Sequence, residues 1–166
     1  MKITVIFGSN TGDRQKTIEK AEALLSERAG ILLKSSSYYE TEPWGFECND
    51  SFLNRIATFD TSLSPQEFLD ICLDIEQELG RIRLDRARYQ SRTIDIDLLF
   101  CDSLSLNTPQ LIVPHPRLAE RNFVLVPLCE IMPDFIHPVL RKSIRQLLDI
   151  CPDNCKVVRQ IRHSGK

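Results

Sequence analysis

Apolar residues recur along this chain with two periods, and the changes from one period to the other mark out its elements. Lys2 to Phe7 (KITVIF) is β-branched and apolar and ends at Gly8, which predicts a strand. Ile18, Ala21, Leu24, Leu25 and Ala29 then return at helical spacing, and Gly30 closes that helix. Ile31 to Glu40 and Ser51 to Phe59 read as a second and third strand. A second helix starts at Ser64-Pro65-Gln66-Glu67, where Ser is the N-cap, Pro the first helical position and Glu the partner that closes a capping box. Phe68, Ile71, Cys72, Ile75 and Leu79 form its apolar stripe, and Gly80 its stop. In TIDIDLLF, Ile94, Ile96 and Leu98 alternate with Asp95 and Asp97 before a wholly apolar end at Phe100, which predicts a fourth strand.

Strand, helix, strand, strand, helix, strand is the order of two βαβ halves joined by a hairpin. It predicts an α+β fold with a ferredoxin-like βαββαβ core, its helices packed on one face of an antiparallel sheet. The remainder reads as a C-terminal extension: a short Ser103 to Val113 stretch, Pro114-His115-Pro116-Arg117, a helical turn or two through Cys129, a helix from Ser143 to Ile150, and an edge strand over Lys156 to Ile161.

Composition narrows the class of protein. A chain of 166 residues is most simply a single domain, 1–166, long enough for a proper core. It shows no signal segment at its start and no apolar run near the ~18 residues of a membrane span, so no membrane association and a cytoplasmic location are expected. A monomer is the expected state. The six cysteines (Cys48, Cys72, Cys101, Cys129, Cys151, Cys155) are then free thiols, and with no CxxC pair and scattered histidines a structural zinc site is not expected. The net charge of -2 argues against nucleic acid as a partner. Positive charge is instead local, which suits a small polyanion.

That local charge stands next to the acidic strand. Arg81, Arg83, Arg86, Arg88 and Arg92 precede Asp95 and Asp97, and Arg in place of Lys favours forked recognition of phosphate or carboxylate oxygens. Side chains at i and i+2 share one face of a strand, so Asp95 and Asp97 point the same way. Read as a buried pair, two carboxylates that close require a cation, and oxygen ligands without paired Cys or His favour Mg2+ over Zn2+. Carboxylates for metal beside guanidinium groups for phosphate are the parts of phosphoryl-type transfer. A solvated strand beside a solvated basic loop is the plainer alternative.

Other segments add to this picture. Glu76 lies beside the helical stripe on the last full turn, next to the arginine-rich loop. Thr41-Glu42-Pro43-Trp44-Gly45-Phe46 is an aromatic connection, long for a hairpin. His115 is held between two prolines, with Arg121-Asn122-Phe123 soon after. Gly8-Ser9-Asn10-Thr11-Gly12 invites a second functional class, an FMN-binding electron carrier, because such a turn wraps phosphate in flavodoxins; it lacks the Gly-Lys-Ser/Thr of a P-loop.

With these residues assembled, the sequence resembles the 6-hydroxymethyl-7,8-dihydropterin pyrophosphokinase family of folate biosynthesis. Arg92-x-x-Asp95-x-Asp97-Leu98-Leu99 and Val113-Pro114-His115-Pro116-Arg117 carry most of the likeness, supported by YETEPWG at 39–45, FLN at 52–54 and RNFVLVPL at 121–128. The resemblance implies transfer of the β,γ-pyrophosphoryl group of ATP to the hydroxymethyl group of 6-hydroxymethyl-7,8-dihydropterin, leaving AMP. It implies two Mg2+ ions on Asp95 and Asp97, with Arg81 and Arg92 meeting charge that develops during transfer. It places Glu76, Arg81, Arg83, Arg92, His115 and Arg121 on the ATP side. Phe52 and Phe123 would sandwich the pterin ring, Asn54 would read its amide-like edge, and Thr41, Pro43 and Trp44 would belong to the loop that covers it. Tyr89 and Gln90 depart from the family's usual Trp and small residue.

Overall fold

The computed structural model describes residues 1–41, 51–80 and 93–161. Its main sheet is antiparallel, built from β1 (Lys2–Ser9), β3 (Tyr39–Thr41), β4 (Phe52–Asp60), β5 (Asp95–Cys101) and β8 (Val157–Arg159) in the order β5-β1-β4-β3-β8, with β2 (Ile31–Ser35) also paired to β4. Helices α1 (Arg14–Arg28) and α2 (Pro65–Glu78) complete the βαββαβ core. All these pairings are antiparallel, which separates this sheet from the parallel sheet an FMN-binding flavodoxin would need.

Local chemistry explains where the elements begin and end. Asp13 caps α1 by accepting the Lys16 N–H, and Ser64 and Glu67 form the capping box of α2. Gly80 ends α2 with φ of 110°, a left-handed conformation open to glycine. The predicted second strand is two strands. Ser36 interrupts it, accepting the Ile56 N–H through its hydroxyl at 2.9 Å while its own N–H donates to Ile56 O at 2.7 Å. A side chain that takes over a ladder position breaks the regular pairing.

The two sheet faces carry different cores. Ile3, Val5 and Phe7 of β1 and Ile96 and Leu98 of β5 pack with Ile18, Ala21 and Leu25 of α1 and Phe68, Cys72 and Ile75 of α2. The intervening positions, Ile6, Ile56 and Leu99, pack with Phe100 against a second layer made by the extension. That layer holds α3 (Asn122–Ile131) and α4 (Ile144–Asp149), which supply Val124, Leu125, Leu128, Ile144 and Leu147. Helices on one face therefore describes α1 and α2, and the extension covers the other. A register shift between Thr4 and Val5 leaves an extra residue at Leu99 on β5, so that Leu99 and Phe100 both join the second core while Cys101 returns to the first. A small hairpin, β6 (Leu106–Asn107) with β7 (Ile112–Val113), precedes the His115 segment. Cys72, Cys101, Cys129, Cys151 and Cys155 are free thiols. Among the described residues no helix is long and apolar enough to cross a membrane.

Candidate active site

At one end of the second face the apolar core gives way to polar side chains. Gly8 of β1 stands opposite Asp95 of β5 on one side and Asn54 of β4 on the other, and Asn54 in turn stands opposite Tyr39 of β3. Opposed residues share a face, so Asp95 and Asn54 flank Gly8. A Cβ on Gly8 would lie 2.9 Å from Asn54 Oδ1. Glycine there makes room for the Asn54 amide, which donates through Nδ2 to Thr41 Oγ1 at 2.9 Å. Asn54 and Thr41 are both buried, and Phe52, two residues along the same face, is half-buried.

Asp97 follows Asp95 on that face, opposite Ile6. The carboxylates are less enclosed than a buried pair: Asp95 is half-buried and Asp97 exposed. Ile94, Ile96 and Leu98 do not enclose the pair, because they face the first core. Glu76 reaches them from α2. Glu76 is 3% exposed, and its Oε1 accepts the Ile96 N–H, between the two aspartates, at 2.7 Å. Among the described strands β5 lies at the sheet edge, and this buried acceptor occupies a ladder position there.

The extension brings a cationic and aromatic wall to the same end. Arg121 and Phe123 open α3, and the Arg121 guanidinium lies 5.6 Å from the centroid of the Phe123 ring. Burial and the charge of Arg117 lower the Arg121 pKa, against which Asp97 and Glu120 act. His115 is held by its N–H to Leu99 O at 3.0 Å, and its Nδ1 accepts the Arg117 N–H at 3.2 Å. Burial, then the charges of Arg121 and Arg117, push its pKa down to about 4. At neutral pH the ring is uncharged, and with Nδ1 accepting, Nε2 carries the proton as a donor.

Residues flanking two further segments meet at this end. Thr93 Oγ1 lies 3.5 Å from Gly80 O, so the described residues on either side of 81–92 are neighbours, and Ser9 Oγ donates to Thr93 O at 2.6 Å. Thr41 and Phe52, which flank 42–50, are paired in register apart from Ser51. Arg81, Arg83, Arg86, Arg88, Tyr89, Gln90 and Arg92, and likewise Pro43, Trp44 and Cys48, lie outside the described residues. The structure thus brings Asp95, Asp97, Asn54, Thr41 and Phe52 to one end of one face, with Arg121 and Phe123 on the helix packed over that face. Sequence spacing missed the partnership of Gly8 with Asn54 and the Glu76 link to Ile96, since both join residues far apart in the chain.

A family model described as 7,8-dihydro-6-hydroxymethylpterin-pyrophosphokinase (HPPK) matches residues 4–133. The chain belongs to this family. As an HPPK-family chain it is 47% identical over 128 residues to the 2-amino-4-hydroxy-6-hydroxymethyldihydropteridine pyrophosphokinase of Bacillus subtilis, covering 76% of this chain and 75% of that protein. It is 42% identical over 134 residues to the enzyme of the same name from Porphyromonas gingivalis, covering 80% of this chain and 90% of that protein. Wild-type HPPK-DHPS of Plasmodium falciparum has a TM-score of 0.75 over 89% of this chain and 17% identity, and this chain spans 44% of that one. That likeness concerns the fold, which is ferredoxin-like as expected. The HPPK-family chain is an enzyme, a pyrophosphokinase.

Its donor groups suit Mg2+. Asp95 and Asp97 offer only oxygen, and among the described residues no group of three His, Cys, Asp or Glu could hold a metal ion. A pair of carboxylates that leaves room for substrate oxygens and water is the habit of Mg2+ in phosphoryl-transfer sites.

Proposed function

We propose that pyrophosphoryl transfer from ATP to 6-hydroxymethyl-7,8-dihydropterin, the reaction of this family in folate biosynthesis, takes place at the polar end of the second face, with two Mg2+ ions held by Asp95 and Asp97. The observation that supports this reading is the row Asp95, Gly8, Asn54 across three strands, a carboxylate and a buried amide on one face with Asp97 two residues on. The pterin lies between Phe52 and Phe123, where offset stacking and apolar burial hold a flat ring. Asn54, oriented by Thr41, reads its amide-like edge, and Pro43 and Trp44 belong to the segment that covers it.

ATP lies on the arginine side. Arg121 meets its phosphates, and neutral His115 donates from Nε2 without adding charge. Arg81, Arg83 and Arg92 complete the cationic wall, Arg81 and Arg92 facing the charge that develops in transfer. Glu76 stands on the nucleotide side and also holds the Ile96 N–H, keeping the two aspartates at a set spacing. The hydroxymethyl oxygen of the acceptor bonds to the β-phosphorus as the bond to the α,β-bridging oxygen breaks; AMP leaves, and the hydroxyl proton passes to solvent. Mg2+, when bound, neutralises phosphate charge and lowers the pKa of the acceptor hydroxyl. The chain's residues contribute position and charge, the main requirements of this chemistry. The enzyme is expected to act as a monomer in the cytoplasm.

The test is AMP release from ATP and Mg2+ with and without 6-hydroxymethyl-7,8-dihydropterin. AMP formed only with the acceptor, and lost on adding EDTA, supports the reading. No AMP with fresh acceptor overturns it.

A further inference from the structure

The family match ends at residue 133, yet the chain returns to the site after that point. α3 opens without a cap of its own, because Arg121 at its N-cap makes no side-chain hydrogen bond to the helix. Asp153, 6% exposed and 31 residues downstream of Asn122, takes that role. Its Oδ2 accepts the Asn122 N–H at 2.8 Å and its Oδ1 the Cys155 N–H at 2.8 Å. Asn122 Nδ2 completes the link by donating to Cys155 O at 3.2 Å. A carboxylate suits this position, since it offers acceptors only and lies at the positive end of a helix.

The same tail then crosses to the opposite wall. As β8 it pairs with β3 in the register Thr41 to Val157, Glu40 to Val158 and Tyr39 to Arg159. The Gln160 N–H donates to Tyr38 O at 2.8 Å, and Gln160 Nε2 donates to the Glu40 carboxylate. Arg14 Nη1 holds Glu40 at 2.9 Å and also donates to Ser51 O at 2.6 Å, tying β3 to the residue that precedes β4. Thr41, at the end of β3, is the residue that orients Asn54. One short stretch of chain therefore holds the turn bearing Arg121 and Phe123 at one end and the strand bearing Thr41 at the other.

We propose that Asp153 is a positioning residue for the acceptor slot: it fixes the first turn of α3, with Phe123 and Arg121, against the β3–β4 wall to which the same tail is paired. This rests on the reading of Phe123 as a face of the pterin slot. If Asp153 merely stabilised α3, its loss would lower the melting temperature and leave the affinity of the folded protein for pterin unchanged. If it positions Phe123, the two residues are energetically coupled.

The test is a double-mutant cycle on the full chain. The dissociation constant for 6-hydroxymethyl-7,8-dihydropterin is measured by calorimetry in the parent, Asp153→Asn, Phe123→Ala and the double variant, and each protein is melted in parallel. Asp153→Asn puts an amide N–H against a backbone N–H and is expected to weaken pterin binding about tenfold, the scale of one lost charge-assisted hydrogen bond. In the Phe123→Ala background it is expected to cost less than about twofold. An equal fold-loss in both backgrounds, or a folded Asp153→Asn protein within about twofold of the parent, overturns the proposal. Should Asp153→Asn not fold, Asn122→Ala cuts only the link to Cys155 O, and the same coupling or its absence decides. Normal pterin affinity in Phe123→Ala alone would instead remove the slot reading on which the proposal stands.

Discussion

The two faces of the sheet use the same strands differently. On the first face, Ile3, Val5, Phe7, Ile96 and Leu98 run without interruption beneath α1 and α2. On the second, Ile6, Ile56, Leu99 and Phe100 are apolar, but the row ends in Gly8, Asn54, Asp95 and Asp97. The first face is a core from end to end, while the second stops being one where α3 begins. Polar side chains need water or partners, and the end of a core layer supplies both without opening the interior. The continuous face beneath gives them a rigid base.

This contrast can be broken most directly at its two extremes. Asp95→Ala or Asp97→Ala is expected to lower turnover about a hundredfold or more, the scale of a preorganised electrostatic group, with little change in melting temperature. Phe59→Ala on the first face is expected to do the opposite, costing about 3–5 kcal/mol of stability while the folded fraction keeps its turnover. Near-normal rates in both aspartate variants would remove the metal assignment, and a slow but fully stable Phe59→Ala protein would show that the faces are not separable. Next in size, Phe123→Ala is expected to weaken pterin binding about tenfold and ATP binding far less, read by calorimetry with each ligand in turn. Equal losses would place the ring outside the slot.

A smaller effect is expected from Gly8→Ala. Its Cβ would meet Asn54 Oδ1 at 2.9 Å, so the amide must shift, and a rise of a few-fold in the KM for pterin is expected with kcat less affected. The smallest is a pH effect on stability. Burial lowers the pKa of His115 to about 4 and that of His137 in the same direction. The unfolded chain therefore binds more protons between about pH 6.5 and about pH 4, so stability rises with pH across that window and is lost as pH falls through it. Melting temperatures should decline from pH 6.5 to 4, and His115→Asn should flatten the decline. A parent protein whose melting temperature is level over that range would contradict the uncharged state of the folded ring.

Much of this was legible from spacing. The Ser64–Glu67 capping box starts α2 where expected, and the KVVRQI segment supplies the edge strand β8. Asp95 and Asp97 share a face as their i, i+2 spacing requires. Their exposure is not legible in the same pattern, because alternation tells which residues lie together and is silent on what covers them. The split of the second strand at Ser36 was equally hidden, since a hydroxyl that replaces a ladder acceptor does not alter the apolar pattern.

The sequence by itself determined the βαββαβ order of the core, the capping box of α2 and the grouping of side chains on each face. These depend on period and on atoms within one turn or one strand of each other. Tertiary structure alone decided that Gly8 yields space to Asn54, that Glu76 occupies a ladder position on β5, and that Asp153 caps a helix begun 31 residues earlier. Each is a meeting of groups distant in the chain. Their partners are specified only when the sheet has closed and both faces have been covered.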